Sequence, residues 1–432
     1  MKLRKTLFSL ILVLVVVVLL SGFGTAYDFG NYNLDGKTVT ITGSKPEEGT
    51  GLYNRVQAVE SDYNVNIKFV NSPHWKNLEE EFMSSVMGGD VIADIVNVVN
   101  PWHYPSLSAK NAIYSMDKIM DLEDYYSMYP PYIEAWYEAL KNYDVGGNQC
   151  YGFPIVSKFG NCIVINEDIF KKENLPDPHQ LIAENKWTWE KFIEIAEQAT
   201  KDTNGDGKTD QWGIGNIVWP GFIDWLVNNN ANFIERQDNK FVVTAGDKFL
   251  ETLRFMQEIM KRGLDKTTSP SPNIITKNDV AMDYIPVGKI GEELRKKVNI
   301  DLLPLPKGSN GNEYKSTMAF NWVRVIPVTT KHDPQVLMDI MGRLWPPKTY
   351  KSKFESLKAT ADDKEDYKFY NNIGKEYKLV SFPWYTWDAF KVIQKPVIQE
   401  LKKGEVSPSQ LLKKYTPKIE AKVNDKYKSY TK

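Results

Sequence analysis

The chain has 432 residues, with 54 basic and 55 acidic side chains and a net charge of −1 at neutral pH. Nothing in that balance argues for a nucleic-acid partner. Its 42% hydrophobic and 25% charged content is that of a globular chain too long for one ordinary core, so two domains are expected.

Met1-Lys2-Leu3-Arg4-Lys5 is a short positive start, Thr6 to Leu20 is almost wholly apolar, and Gly24-Thr25-Ala26 supplies small residues before polar sequence begins. This order predicts a secretory signal peptide cleaved after Ala26. An uncleaved membrane anchor is the other reading, since the apolar run approaches the roughly 17–25 residues of a spanning helix. Leu20-Ser21-Gly22 precedes Phe23, where a lipoprotein would carry its lipidated cysteine. The mature protein is therefore expected outside the cytoplasm, secreted or held at the cell surface, without a thioether lipid. No second apolar run is long enough to span a membrane.

The next third alternates strand and helix. Val39–Thr42 reads as a strand, Asn54–Tyr63 as a helix, Val65–Phe69 as a strand, Trp75–Met87 as a helix and Asp94–Val99 as a strand. That alternation predicts a mostly parallel sheet flanked by helices, with ligands beyond the carboxyl ends of its strands. Two loops lie there: Gly43 to Glu48, with Glu47, and Asn100-Pro101-Trp102-His103-Tyr104.

Texture changes near Tyr151-Gly152-Phe153-Pro154, a Gly/Pro-punctuated extended segment. A second α/β region follows, with a helix opening at Thr188 as N-cap and another running from Asp247 to Gly263. Leu303-Pro304-Leu305-Pro306 and Pro346-Pro347 are two further breaks, with a strand at Trp322–Val328 and a helix at Asp333–Trp345 between them. Three breaks between two α/β regions predict a hinged pair of lobes that the chain crosses three times. Residues 1–26 are assigned to the signal peptide, 36–150 and 305–347 to the N-terminal lobe, and 151–304 and 348–432 to the C-terminal lobe.

The two cysteines, Cys150 and Cys162, flank a predicted hairpin of Tyr151–Val156 and Cys162–Asn166; their even number permits one disulfide in an exported chain. Asp202, Asn204 and Asp206 stand at positions 1, 3 and 5 of an EF-hand-like loop, with Gly207 at the turn, the Lys208 carbonyl at 7 and Asp210 at 9. Position 12 is Gly213, so the shell of a structural Ca²⁺ would close through Gln211, a bidentate Asp210 or water. An Asp/Asn/Gly turn without metal is the alternative.

Enzyme signatures such as His-Glu-x-x-His, Gly-x-Ser-x-Gly and a phosphate-binding glycine loop are missing. Asp224, Asp283 and Asp388 are the carboxylates a glycosidase pair would be drawn from. Trp102, Tyr104, Trp219, Trp225, Trp322, Trp384 and Trp387 are candidate stacking platforms, because flat rings give large contact area at low entropic cost; core packing is the alternative for any one of them.

Tyr151-Gly152-Phe153-Pro154, Val164 to Pro178 and Trp187-Thr188-Trp189-Glu190-Lys191-Phe192 together resemble the carbohydrate-type extracellular solute-binding proteins of bacterial ABC importers, with Glu167 in place of a common lysine. The resemblance implies a two-lobed, type II periplasmic-binding-protein-like α/β fold similar to maltodextrin-binding protein. It implies capture of an oligosaccharide by hinge closure and delivery to membrane permease subunits, without catalysis and as a monomer. Glu47, Trp102, His103, Tyr104, Trp219, Asp224, Asp283, Trp322 and Trp384 are the candidate ligand residues. By likeness to the calcium-loop branch of that family, Asp202, Asn204, Asp206, Lys208, Asp210 and Gln211 are the metal set. A non-sugar solute held by the same fold is the alternative reading, and a secreted glycoside hydrolase a third.

Overall fold

The computed structural model describes residues 27–100, 102–129, 137, 140–141, 149–155, 160–217, 221–238, 240–266, 274–290, 292–317, 321–347, 364–373, 376–380 and 384–428. The predicted signal peptide, the Pro346-Pro347 break's continuation at 348–363 and Trp219 lie outside the described residues. Among the described residues no helix is long and apolar enough to cross a membrane.

The first lobe is built from β1 (Thr38–Thr42), α1 (Gly51–Tyr63), β2 (Asn66–Val70), α2 (Leu78–Met87), β3 (Val96–Asn100), α3 (Tyr104–Ala109), α4 (Leu122–Ser127) and β4 (Phe153–Ile155). β1 pairs in parallel with β2, and Ile41 bridges in parallel to Ile95 just ahead of β3. Local chemistry sets the helix ends. Thr50 Oγ accepts from the Tyr53 amide at 3.3 Å at the start of α1, and Asn64 ends that helix in the left-handed region at φ 47°.

The second lobe takes β5 (Asn161–Asn166), α5 (Glu167–Lys172), α6 (Pro178–Ala183), α7 (Trp189–Ala199), β6 (Trp212–Ile214), α8 (Phe222–Asn228), the hairpin β7 (Ile234–Gln237) and β8 (Lys240–Val243), α9 (Asp247–Lys261), β9 (Val280–Pro286), β10 (Ile300–Leu303) and β11 (Tyr314–Thr317). The chain then returns to the first lobe for β12 (Asn321–Val325) and α10 (Pro334–Leu344). It ends in the second lobe with α11 (Lys364–Asn372), β13 (Tyr377–Val380), α12 (Trp384–Lys403) and α13 (Pro408–Lys426). α11 packs on β10, β13 pairs with β11, and α12 and α13 pack on each other and on α9.

The two-lobed α/β plan is that expected, with three crossings, but strand direction and register differ in detail. β12 lies antiparallel between β3 and β4, and β5 lies antiparallel to both β10 and β9 in the order β10-β5-β9-β6. A strand that enters a lobe from the other one runs counter to strands joined by crossovers within the lobe. For the same reason β4 and β5 do not form the predicted hairpin: one belongs to each sheet. The cysteines separate with them. Cys150 Sγ donates to Gly152 O at 3.2 Å and Cys162 Sγ to Ile285 O at 3.4 Å, both buried, so the disulfide that the even count permits does not form here.

The Tyr151–Pro154 block is a first-lobe strand that leads to a crossing, and Gly152 is required in it. A Cβ there would stand 2.4 Å from Val323 Cγ1 and 3.0 Å from Tyr104 Cε2. The first crossing falls between Ile155 and Gly160, the second between Thr317 and Asn321. Segment 305–317, expected in the first lobe, packs instead with the second. The Trp189 amide bonds to Lys307 O at 2.9 Å, and the Gly308 amide to Asn228 O at 3.0 Å. Thr188 sits at the N-cap of α7 as expected, yet its hydroxyl makes no cap bond.

Candidate functional site

The carboxyl ends of β1, β2 and β3 open onto one edge of the first lobe. The loops there are residues 43–50, 71–77 and 101–103. His103 organises two of them. Its Nδ1 accepts from the Val99 amide at 3.1 Å, which places the ring proton on Nε2, and Nε2 lies 2.8 Å from the Trp75 carbonyl. The imidazole is only 4% exposed, and burial pushes its pKa down, so it stays neutral and works as a brace. His103 was expected to touch ligand; the fold uses it to hold the turn that carries Trp75.

Trp75 stacks on Trp102 with centroids 4.8 Å apart and planes at 28°. Trp75 is 41% exposed and Trp322 40%; with Met87 they are the large hydrophobic side chains left exposed among the described residues. Trp322 pairs across β12 with Val99, whose carbonyl accepts the amides of Trp102 at 3.0 Å and His103 at 2.9 Å. Two exposed indoles thus gather about the carboxyl end of β3. Trp75 is the residue that sequence reasoning missed. It was assigned to the start of a helix, but α2 begins only at Leu78, leaving His74-Trp75-Lys76 as a turn after β2.

From the second lobe, Lys391 on α12 brings its ammonium to 5.5 Å from the Trp102 ring centre. Asp388, one turn earlier, stands 3.5 Å from Lys391 Nζ and accepts from Lys426 Nζ at 2.7 Å and from the Tyr427 hydroxyl. The two lobes therefore face each other at Trp102.

The remaining candidates divide. Glu47 is exposed in the loop after β1, where its carbonyl accepts the Thr50 amide and hydroxyl. Tyr104 is fully buried, and its hydroxyl accepts the Tyr151 amide at 2.7 Å, so it braces the strand that leads to the first crossing and offers no platform. Trp384 opens α12, with its side chain outside the described residues.

Asp224 and Asp283 are each 1% exposed, which corrects their assignment to the ligand surface and as a hydrolytic pair. Asp224 accepts the Thr317 amide at 2.6 Å, the Thr317 hydroxyl at 3.0 Å, the Asn161 side-chain amide at 3.0 Å and the Tyr284 hydroxyl. Asp283 accepts the amides of Ile275 at 3.3 Å and Tyr284 at 2.9 Å. Burial pushes the first up to about 6 and the second to about 7, against the hydrogen bonds that pull both down. Asp388 is likewise committed, to Lys426 and Tyr427.

In the acidic loop Asp202 accepts the amides of Gly205 at 2.7 Å, Asn204 at 3.2 Å and Gly207 at 2.7 Å, which hold its carboxyl below the usual range. Asn204 accepts from Asp206 N at 2.9 Å, and Asp206 from Lys208 N at 2.8 Å. Gly205 and Gly207 take φ of 79° and 85°, which only glycine adopts without strain. The donors are hard oxygens and suit Ca²⁺ in kind. Asp210 is turned to the Thr203 and Asn204 amides, and among the described residues no three Asp, Glu, His or Cys side chains converge on one point. Gln211 leaves the expected metal set: its amide nitrogen donates to Ala199 O at 2.8 Å and its oxygen faces Lys172.

The family model for bacterial extracellular solute-binding proteins matches residues 42–337. No curated protein sequence matches the chain significantly. Among solved structures, the fold is similar to a maltose/maltodextrin-binding domain from Bdellovibrio bacteriovorus bound to maltotriose, at TM-score 0.59 and 14% identity over 90% of this chain and 100% of that one. It is also similar to an ABC substrate-binding protein of Listeria monocytogenes in complex with cycloalternan, at TM-score 0.61 and 14% identity over 91% and 100%. A third is the GacH receptor of Streptomyces glaucescens, solved with acarbose, at TM-score 0.60 and 16% identity over 92% and 98%.

Proposed function

We propose, from the premise that the chain belongs to the family of bacterial extracellular solute-binding proteins, that it captures an oligosaccharide between its lobes and presents it to the permease subunits of an ABC importer. The observation that carries this reading is the stack of exposed Trp75 on half-buried Trp102 at the carboxyl edge of the first-lobe sheet, with Lys391 of the second lobe beside Trp102 and exposed Trp322 paired with Val99 on β12. Flat indoles left in water at a cleft are expensive unless something apolar and flat covers them, and the faces of pyranose rings do so. The structural neighbours were solved with maltotriose, cycloalternan and acarbose, which supports the same class of ligand.

Closure would bring Lys391 and the second lobe onto a ligand seated on the indoles. No turnover is proposed, because the buried Asp224 and Asp283 spend their oxygens on internal donors. The acidic loop is proposed to bind a structural Ca²⁺ through Asp202, Asn204, Asp206, the Lys208 carbonyl and Asp210, once Asp210 turns inward. The exported, monomeric state goes with the same reading.

Calorimetric titration of the mature chain with neutral and acidic oligosaccharides tests it. Saturable binding of an oligosaccharide with no reducing-sugar release is the expected result. A silent response to every sugar, with binding of peptides, would move the ligand to another class on the same fold.

A further inference from the structure

We propose that the seam between α12 and α13 is a docking face for an anionic membrane surface, met through the phosphate groups of lipids such as phosphatidylglycerol. The inference goes beyond solute capture; only the choice of a membrane over another polyanion rests on the hand-over to permease subunits proposed above.

Charge is segregated along this chain. The stretch from Trp384 to Lys432 carries eleven lysines, no arginine and five acids, whereas the residues before it hold 43 basic and 50 acidic side chains. A near-neutral total thus combines a cationic end with an acidic body, and attraction to a charged surface follows the local charge.

The fold turns that stretch into a row. Lys414, Lys418, Lys422 and Lys426 recur every four residues of α13, so they share one side of the helix over about 18 Å. All four are exposed. Their side borders α12: Lys414 Nζ meets Glu400 at 2.8 Å at one end, and Lys426 Nζ meets Asp388 at 2.7 Å at the other. The two helices therefore run antiparallel, and the two acids close only the ends of the row. Between those acids, residues 389–399 contain no Asp or Glu and add Lys391 and Lys395. On α13 itself Glu420 is turned to β8, where it accepts the Val243 amide at 2.9 Å, so Asp425 is the one fully exposed acid of that helix. Among the described residues Lys418 and Lys422, in the middle of the row, enter no ion pair.

A line of ammonium groups about 18 Å long suits a surface of repeated charges better than one small anion. The family is bacterial and extracellular, and hand-over to a permease takes the chain to the outer face of the membrane. The Lys426 end of the row also reaches the interlobe face: Asp388 stands 3.5 Å from Lys391 Nζ, which is itself 5.5 Å from the Trp102 ring centre. Docking along the row therefore brings the opening between the lobes toward the bilayer.

The experiment is co-sedimentation of the mature full chain with vesicles of mixed phosphatidylglycerol and phosphatidylcholine, beside vesicles of phosphatidylcholine alone, in 0.15 M salt. Binding to the anionic vesicles only is expected, with loss near 1 M salt, where the screening length falls to about 3 Å. Lys418→Gln combined with Lys422→Gln should lower partitioning at least about tenfold, at roughly fivefold per lysine, and leave the melting temperature and oligosaccharide affinity unchanged. The same pair changed to arginine should keep binding, which separates lost charge from lost folding. Lys37→Gln with Lys68→Gln, both exposed on the first lobe, removes as much charge and should leave partitioning within about twofold. No sedimentation with anionic vesicles, equal sedimentation with neutral ones, or an equal loss in the first-lobe pair overturns the proposal. Binding of inorganic polyphosphate without binding of vesicles overturns it too, and assigns the face to a soluble polyanion. Each of these outcomes leaves saccharide capture standing, because titration with sugar reads that separately.

Discussion

The carboxylate of Asp224 accepts the backbone amide of Thr317 at 2.6 Å across 93 residues of sequence. The same carboxylate holds Asn161 at 3.0 Å. Thr317 is the last residue before the second crossing and Asn161 opens the strand after the first, so one buried acid anchors both hinge segments to α8.

Replacing Asp224 should therefore loosen the base of the hinge. Asp224→Ala leaves the amide and hydroxyl of Thr317, the side-chain amide of Asn161 and the Tyr284 hydroxyl without this acceptor, at about 1–3 kcal/mol for each buried donor that finds no other. Asp224→Asn keeps one acceptor and should lose less. Urea unfolding midpoints measure both, and a midpoint unchanged in the alanine variant would remove the anchor from the account.

Stability should also depend on pH through the buried acids. Burial raises Asp283 to about 7 from an ordinary 3.8, so between those values the folded chain binds a proton that the unfolded chain has released. The contribution is then largest below the ordinary carboxyl pKa and is lost as pH rises to 7, by roughly 4 kcal/mol at full extent. Asp224, raised to about 6, acts in the same direction over a shorter window. Asp283→Asn should flatten the difference between midpoints at pH 4.5 and 7.5 relative to the parent chain. An identical pH slope in the two proteins would show that Asp283 is already charged when folded.

Much of this architecture was legible because period and punctuation reflect local physics. β1, α1 and β3 fall where alternation and helical spacing put them, and α10 begins where Asp333 caps Pro334. The crossings were legible only as breaks. Leu303 to Pro306 breaks the pattern because the chain leaves β10, yet β11 holds it in the second lobe for another turn of topology, and propensity carries no information about which lobe a strand joins. The positions of Trp102 and Trp322, in a loop after β3 and on β12, were marked in the sequence, and the fold places them there. The site was not legible for Trp75, whose exposure depends on a hydrogen bond to His103 from the next loop. Nor could sequence show that Asp224 and Asp283 point inward, since β9 is buried on both faces and the groups that hold Asp224, from Asn161, Tyr284 and Thr317, lie far from it in sequence.

Calcium should stabilise the chain through the acidic loop. If Asp202, Asp206 and Asp210 gather on one ion, saturating Ca²⁺ at a hundred times its dissociation constant adds about 2.7 kcal/mol. The melting temperature should then fall on chelation. Asp206→Ala should remove the response to Ca²⁺. Gln211→Ala should leave it intact, because that side chain is spent on Ala199 and Glu173. Loss of the response in Gln211→Ala, or no response in the parent chain, would reduce the loop to a turn held by its own amides.

The last prediction concerns the brace behind the platform. His103 joins the Val99 amide to the Trp75 carbonyl, so its role in affinity runs through Trp75. Trp75→Ala removes half of the stack and should lower saccharide affinity roughly tenfold, consistent with an aromatic contact of about 1.5 kcal/mol. His103→Ala leaves a buried amide without its acceptor, should destabilise the fold by about 1–3 kcal/mol, and should lower affinity as well because the Trp75 turn is released. The two losses of affinity should not add: the double variant should bind no more weakly than Trp75→Ala alone. Affinity should also be flat from pH 7 to 8 as far as His103 is concerned, since burial lowers its pKa from the ordinary imidazole value. Additive losses in the cycle would instead place His103 against the ligand itself.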